Sequence, residues 1–163
     1  MSDKTYLDWP FFDDAHRRLA QELEAWIPSN TGGDHPADVD AACRNLVKRL
    51  GRDGWLRYAV GGTANGGRFD AIDTRSICLL RETLARHSGL ADFAFAMQGL
   101  GSGALTLHGT PEQRQRYLTK VAAGEAIPAF ALSEPGSGSD VAAMDCAARA
   151  EGDHYVLNGE KTW

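Results

Sequence analysis

The spacing of apolar residues changes once along this chain, near residue 125, and that change limits the folds open to it. Before that point apolar residues recur every three or four positions, the period of a helix with one buried face. From Met144 onward they alternate, the period of a half-buried strand. A long helical segment followed by a short stretch of strand predicts a mostly α chain. We read an N-terminal helical bundle domain over residues 1–125, then the first strands of an incomplete antiparallel β domain over 126–163.

The helical part divides at its own punctuation. A first helix is predicted over about 10–27, with Phe12, Ala15, Leu19, Leu23 and Trp26 inward. Pro28 and the SNTGGD stretch are expected to end it. Pro36 suits the first position of a second helix, whose buried stripe reads Val39, Cys43, Leu46, Val47, Leu50 and which stops before Gly51. The segment GWLRYAVGGTANGGRFD is a Gly-rich excursion. A third helix fits 71–88, with Ile77, Leu80 and Leu84 inward and Gly89 as its stop. The next, LADFAFAMQGLGSGALTLHG, is apolar on most sides, as for a helix in the middle of a bundle. We read its small residues as sites of tight packing, and Phe93, Phe95 and Met97 as core. Thr110-Pro111-Glu112-Gln113 then forms the strongest local signal: N-cap, proline at the first turn, an acid at the positive helix end, and a capping-box glutamine. The helix it opens turns Tyr117, Leu118 and Val121 inward and stops near Gly124.

After residue 125, Ile127 to Leu132 is long enough for one strand. CAARA and YVL, separated by EGDH, read as two more. Asn158-Gly159 is a hairpin signal, with Glu160–Trp163 as the returning strand. A four-residue last strand leaves an open edge and half a core, so the sequence reads as a portion of a longer protein.

Charge and composition remove several function classes. Acids outnumber bases 22 to 17, for a net charge of −5, which does not favour nucleic acid. The basic run Arg44, Lys48, Arg49, Arg52, Arg57 reads as a solvated helix face. Cys43, Cys78 and Cys146 are far apart and odd in number. We read them as small buried hydrophobes in a reducing compartment, the cytoplasm. The histidines show no ligand spacing, so no metal site is expected. No window is apolar enough to span a membrane, and the acidic start resembles neither a signal nor a transit peptide.

Between the two parts lies ALSEPGSGSD, residues 131–140. By composition it is a linker, but the residues after it are too few to form a self-sufficient unit. Gly136 and Gly138 would let backbone N–H groups point into a concavity, with Ser133, Ser137 and Ser139 adding hydroxyls. Residue types alone leave a ligand loop and a plain surface loop both open. The stretch is neither a dinucleotide fingerprint nor a Walker loop. Glu134 and Asp140 look like a carboxylate pair, and we read them as loop-shaping and capping groups. Asp153 and Asn158 are turn residues.

The run FALSEPGSGSDVAAMDCAARAEGDHYVLNGEKTW resembles the middle region of acyl-CoA dehydrogenases. That family carries a Ser/Thr-Glu-Pro-x-x-Gly-Ser-Asp loop, matched by Ser133–Asp140. At a fixed distance comes Gly-Asp-x-Tyr-x-x-Asn-Gly-x-Lys-x-Trp, matched by Gly152–Trp163. The resemblance is strong from 108 to 163 and general upstream. It implies a helical domain, a middle β domain and a C-terminal four-helix bundle, of which this chain holds the first and the opening of the second. It implies FAD as cofactor: Phe130, Ala131, Leu132 and Ser133 along the isoalloxazine ring, and Ser133 donating to its polar edge. Gly138 and Ser139 belong to the same loop, with Ser139 facing the pyrophosphate and the acyl-CoA thioester, and Trp163 stands against the flavin. Ser137 stands where the family often has Ala, and Cys146 where it often has Thr.

The reaction so implied is α,β-dehydrogenation of an acyl-CoA thioester. A carboxylate takes the α-proton, positioned donors polarise the thioester, and the β-hydrogen leaves as hydride to the flavin. The family's base is a glutamate, usually in the C-terminal bundle, so no catalytic residue is assigned in this chain. Weak or no FAD binding and no turnover are expected of these residues alone. Electron-transferring flavoprotein is the implied acceptor, and a tetramer or dimer of identical subunits the implied assembly. Two other readings stand beside this one. One is a related flavoenzyme on the same fold, an acyl-CoA oxidase or flavin monooxygenase. The other is a non-catalytic short subunit that completes its β domain by strand addition with a partner chain.

Overall fold

A computed structural model describes residues 3–32 and 37–163. Two compact units emerge, Met1–Ala129 and Phe130–Trp163. The first holds five α-helices: α1 (Asp14–Asn30), α2 (Val39–Arg52), α3 (Thr74–His87), α4 (Gly89–His108) and α5 (Pro111–Ala122). Short 3₁₀ turns cover Thr5–Asp8, Trp55–Tyr58 and Thr63–Asn65. Helix α1 packs on α3, α3 on α4, and α4 on α2 and α5. Leu23 of α1, Leu50 of α2, Leu80 and Leu84 of α3 and Phe95 of α4 meet in one core, with Trp55 and Leu56 from the Gly-rich excursion. The first half of the excursion is thus part of the bundle interior, whereas Thr63, Ala64 and Arg68–Asp70 are exposed. Leu118, Val121 and Ala122 of α5 form a smaller core with Val60.

Several local expectations are corrected. Helix α1 passes through Pro28 and ends at Asn30. Proline lacks the N–H that would bond the carbonyl four residues back, but in the last turn the loss is local. The Asn30 and Thr31 side chains donate to the Trp26 and Ile27 carbonyls and finish the helix. Its inward face carries His16 and Ile27, whereas Ala15 is exposed. Pro36 lies outside the described residues. Val39 is exposed, so the α2 stripe begins later than predicted.

Gly51 does not stop α2; it lies inside the helix, buried. A Cβ there would run into the Ala123 carbonyl and the Gly124 amide, so this glycine serves a close approach to the end of α5. Gly89 likewise opens α4, with Ser88 as its N-cap, rather than closing α3. Of the small residues of α4, Gly101 packs closely, against Pro128, while Gly103 faces open space. Phe95 is core, but Phe93, Leu100 and Leu107, seven residues apart in turn, form an exposed apolar stripe. Tyr117 is also exposed. None of the three cysteines is buried; Cys78 is exposed and the other two are half-buried.

The capping box of α5 forms as predicted. Thr110 Oγ1 accepts from the Gln113 amide at 3.2 Å, and Gln113 Oε1 accepts from the Thr110 amide at 2.9 Å. The basic run also behaves as a largely solvated face: Arg44, Lys48, Arg52 and Arg57 are exposed, and Arg49 is half-buried, bonding the Asn30 carbonyl.

The second unit holds two antiparallel strands, β1 (Ala147–Glu151) and β2 (His154–Asn158). Gly152 and Asp153 turn between them, Gly152 at φ +64°. The expected strand over Ile127–Leu132 does not form, and Asn158-Gly159 is not a hairpin turn. Gly159, at φ +145°, instead carries the chain past Cys146, leaving no room for a Cβ. Residues after it turn toward the Gly/Ser loop rather than back along β2: the Thr162 amide donates to the Ser133 carbonyl at 2.8 Å. No helix among the described residues is long and apolar enough to cross a membrane.

Candidate functional site

The Gly/Ser loop is a braced structure, and each brace comes from residue type. Proline sets the backbone for a turn and glycine permits it, so Pro135-Gly136 forms the tip. The flanking residues close it by a mutual pair: Glu134 N–H to Ser137 O at 2.7 Å, and Ser137 N–H to Glu134 O at 3.2 Å. The Ser137 side chain turns inward and its hydroxyl donates to the Asp140 carbonyl at 2.7 Å. Asp140 Oδ1 accepts the Ala142 amide and caps the 3₁₀ turn Val141–Ala143.

Glu134 is the hub of the unit. Its side chain is only 6% exposed. Its two oxygens accept from Lys161 Nζ at 2.8 Å, the Asp145 amide at 2.7 Å and the Cys146 amide at 3.0 Å. The Lys161 ammonium, foremost, and the Asp145 amide hold its carboxyl below the usual carboxylate range. A carboxylate so satisfied is a poor proton acceptor. Glu134 and Asp140 therefore shape the loop. Lys161 also donates to the Leu132 carbonyl at 2.9 Å and lies 3.3 Å from Met144 Sδ. Sequence reasoning does not single out Lys161; its only signal there is a fixed place in the second motif.

Most of the residues expected along a flavin are exposed. Phe130 is 45% exposed and Trp163 fully so. Ala131, Gly138 and Ser139 are exposed, while Leu132 and Ser133 are half-buried. The structure brings Leu132 and Ser133 to the segment that ends in Trp163, through the Lys161 and Thr162 bonds. Among the described residues it forms no such tie for Phe130, Ala131, Gly138 or Ser139. Nothing lies within 4 Å of a Cβ built on Gly136 or Gly138. Neither glycine is there for packing within this unit.

The helical unit has its own open pocket, about 540 Å³, beside buried His16. Arg18, Arg68 and Arg75 line it together with Asp13, Glu22 and Asp73. His16 lies 2.9 Å from Asp13 Oδ1 and 2.8 Å from Asp73 Oδ2, joining the start of α1 to the start of α3. Burial opposes the Asp73 charge, but hydrogen bonds from Ser76, His16 and Arg75 hold its carboxyl well below the ordinary value. Asp13, His16, Asp73, Arg75 and Ser76 satisfy one another, which is a structural arrangement.

Five helices lead to a latched Gly/Ser loop and an antiparallel hairpin. The acyl-CoA dehydrogenase N-terminal domain matches residues 13–125, and the middle domain of the same enzymes matches residues 129–163. The chain belongs to the acyl-CoA dehydrogenase family. It is 46% identical over 163 residues to the mitochondrial isovaleryl-CoA dehydrogenase of Solanum tuberosum, covering 93% of this chain and 37% of that protein. It is 37% identical to a 3-(aryl)acrylate reductase of Clostridium sporogenes, covering 94% of this chain and 41% of that protein. Among solved structures, the acyl-CoA dehydrogenase complexed with FAD from Bacillus anthracis matches at a TM-score of 0.74 and 31% identity, covering 100% of this chain and 30% of that one. The chain thus spans well under half the length of these relatives.

Proposed function

We propose that this chain is the N-terminal helical domain (1–125) and opening of the middle β domain (126–163) of an FAD-dependent enzyme that dehydrogenates an acyl-CoA thioester between its α and β carbons. The observation that carries the reading is the latch: Lys161 and Thr162 hold Leu132 and Ser133 beside the segment ending in Trp163.

The residues fit a flat ring with a phosphate tail. Phe130 and Trp163 offer exposed apolar faces. Ser133 is half-buried and Ser139 exposed, and neither hydroxyl is used by another group among the described residues. The space beside Gly136 and Gly138 is open. In this reading Phe130, Ala131, Leu132 and Ser133 line the ring, Ser133 donates to its polar edge, and Gly138 and Ser139 approach the pyrophosphate and the thioester. FAD, when bound, would supply the acceptor for the β-hydride, which carries both electrons. None of the chain's carboxylates is proposed as base. Electron-transferring flavoprotein is the proposed acceptor, an assembly of identical subunits the proposed state, and fatty-acid metabolism in the cytoplasm the proposed setting. Three free thiols suit that compartment.

The test is an anaerobic titration of the full-length protein with acyl-CoA thioesters, short and branched chains first. Bleaching of the flavin absorbance, and its recovery with electron-transferring flavoprotein, is the expected result. Rapid recovery with oxygen instead would identify an oxidase or monooxygenase. The acrylate reductase relative favours a second reading, the same hydride transfer run toward a saturated product. Oxidation of reduced enzyme by an enoyl substrate, with no reduction by the saturated thioester, would select it.

A further inference from the structure

Lys161 has no part in the chemistry above, yet its ammonium joins the two motif segments. An ammonium has three N–H donors, and here each has an acceptor: Glu134 Oε1 at 2.8 Å, the Leu132 carbonyl at 2.9 Å and Met144 Sδ at 3.3 Å. Glu134 in turn gathers the Asp145 and Cys146 amides. The consequence falls on the next residues: the Thr162 amide meets the Ser133 carbonyl at 2.8 Å, and Trp163 comes immediately after.

We propose that Lys161 is a positioning residue for the cofactor. By latching Glu134 and the Leu132 carbonyl it sets the spacing between Leu132–Ser133 and Trp163, the two walls of the ring site. The proposal rests on the flavin reading. A point charge with three splayed donors suits three separate acceptors, whereas the planar fork of an arginine does not. Charge alone is therefore not enough.

The experiment uses the full-length protein with FAD as the probe. Lys161→Met, Lys161→Arg and Glu134→Gln are compared with Arg149→Met, an exposed charge on β1 of the same unit. Three readouts are taken: FAD affinity by flavin fluorescence, the visible circular dichroism of bound flavin, and hydrogen exchange at the Asp145, Cys146 and Thr162 amides. Lys161→Met is expected to bind FAD about tenfold more weakly or worse, as for loss of a charged hydrogen bond. Its flavin dichroism changes and the three amides exchange faster. Lys161→Arg restores only part of the affinity, and Arg149→Met matches the wild type. Should Lys161→Met not fold, Glu134→Gln, which keeps the shape of the side chain, gives the same reading. Unchanged affinity and dichroism in Lys161→Met or Glu134→Gln would overturn the proposal, as would full rescue by arginine. If the wild-type protein itself takes up no FAD, the flavin reading falls and the cofactor role of Lys161 with it. The exchange data then still show whether the latch holds the loop.

Discussion

Two serines of one loop show how a residue's surroundings, not its type, set its role. The Ser137 hydroxyl is turned inward onto the Asp140 carbonyl, whereas Ser139 is exposed and unused among the described residues. Ser137→Ala should cost about 1 kcal/mol, the usual net value of such a bond, and speed amide exchange over residues 138–142. Thermal melting and exchange on the full-length protein check this. Ser139→Ala should leave the melting temperature unchanged and weaken cofactor or thioester binding. At the other end of the chain, His16 bridges two carboxylates. Asp73 is the more perturbed partner, its value lowered by bonds from Ser76, His16 and Arg75 against the cost of burial. A lowered native value means that folding is favoured while the group is ionised. That stability is complete above the ordinary carboxylate value of about 4 and is lost as pH falls from there through the lower native value. Asp73→Asn should lower stability at pH 7 by about 1–3 kcal/mol and flatten the acid limb of the stability curve, as denaturant titrations at several pH values would show. The sequence singled out neither His16 nor its partners; Asp13 lies three residues before it and Asp73 57 residues after it.

The same division holds for whole elements. Helix α5 formed where Thr110, Pro111 and Gln113 placed it, because a capping box satisfies helix-end donors with neighbours in sequence. Thr110→Ala should destabilise the protein by about 1 kcal/mol, measurable by melting. Helix α2 ran through Gly51 because a distant contact decided the matter. Alanine normally improves a helix interior. Gly51→Ala should nevertheless lower stability by roughly 1–3 kcal/mol, the usual cost of overpacking. A raised melting temperature would contradict the close approach to Ala123. Helix α4 was legible as a strongly apolar helix. The uncovered stripe Phe93, Leu100, Leu107 was not, because hydropathy does not say which side a neighbour takes. Asn158-Gly159 misled for a related reason: the dipeptide permits a hairpin turn, but Gly159 is placed by its approach to Cys146.

For the whole molecule, the prediction concerns what these 163 residues do alone. Phe130 and Trp163 stand open to solvent, as do Gly138 and Ser139. An open surface of this kind holds a large cofactor weakly, since preorganised burial supplies most of the affinity for a ligand of that size. The isolated polypeptide should therefore retain little or no FAD through gel filtration and show no acyl-CoA dehydrogenase turnover. Stoichiometric, stable flavin on it would contradict this.

By itself the sequence determined the order of helices and then strands, the cap of α5, and two motifs in register that mark the family. Each depends on neighbours along the chain or on a fixed local spacing. Only the tertiary structure decided that His16 would be buried, that Gly51 would lie inside a helix, and that Lys161 would close on Glu134 across 27 residues. These depend on which distant backbone or carboxylate arrives at the same place. Local spacing sets which face of an element is apolar, but the partner that meets it is chosen by packing.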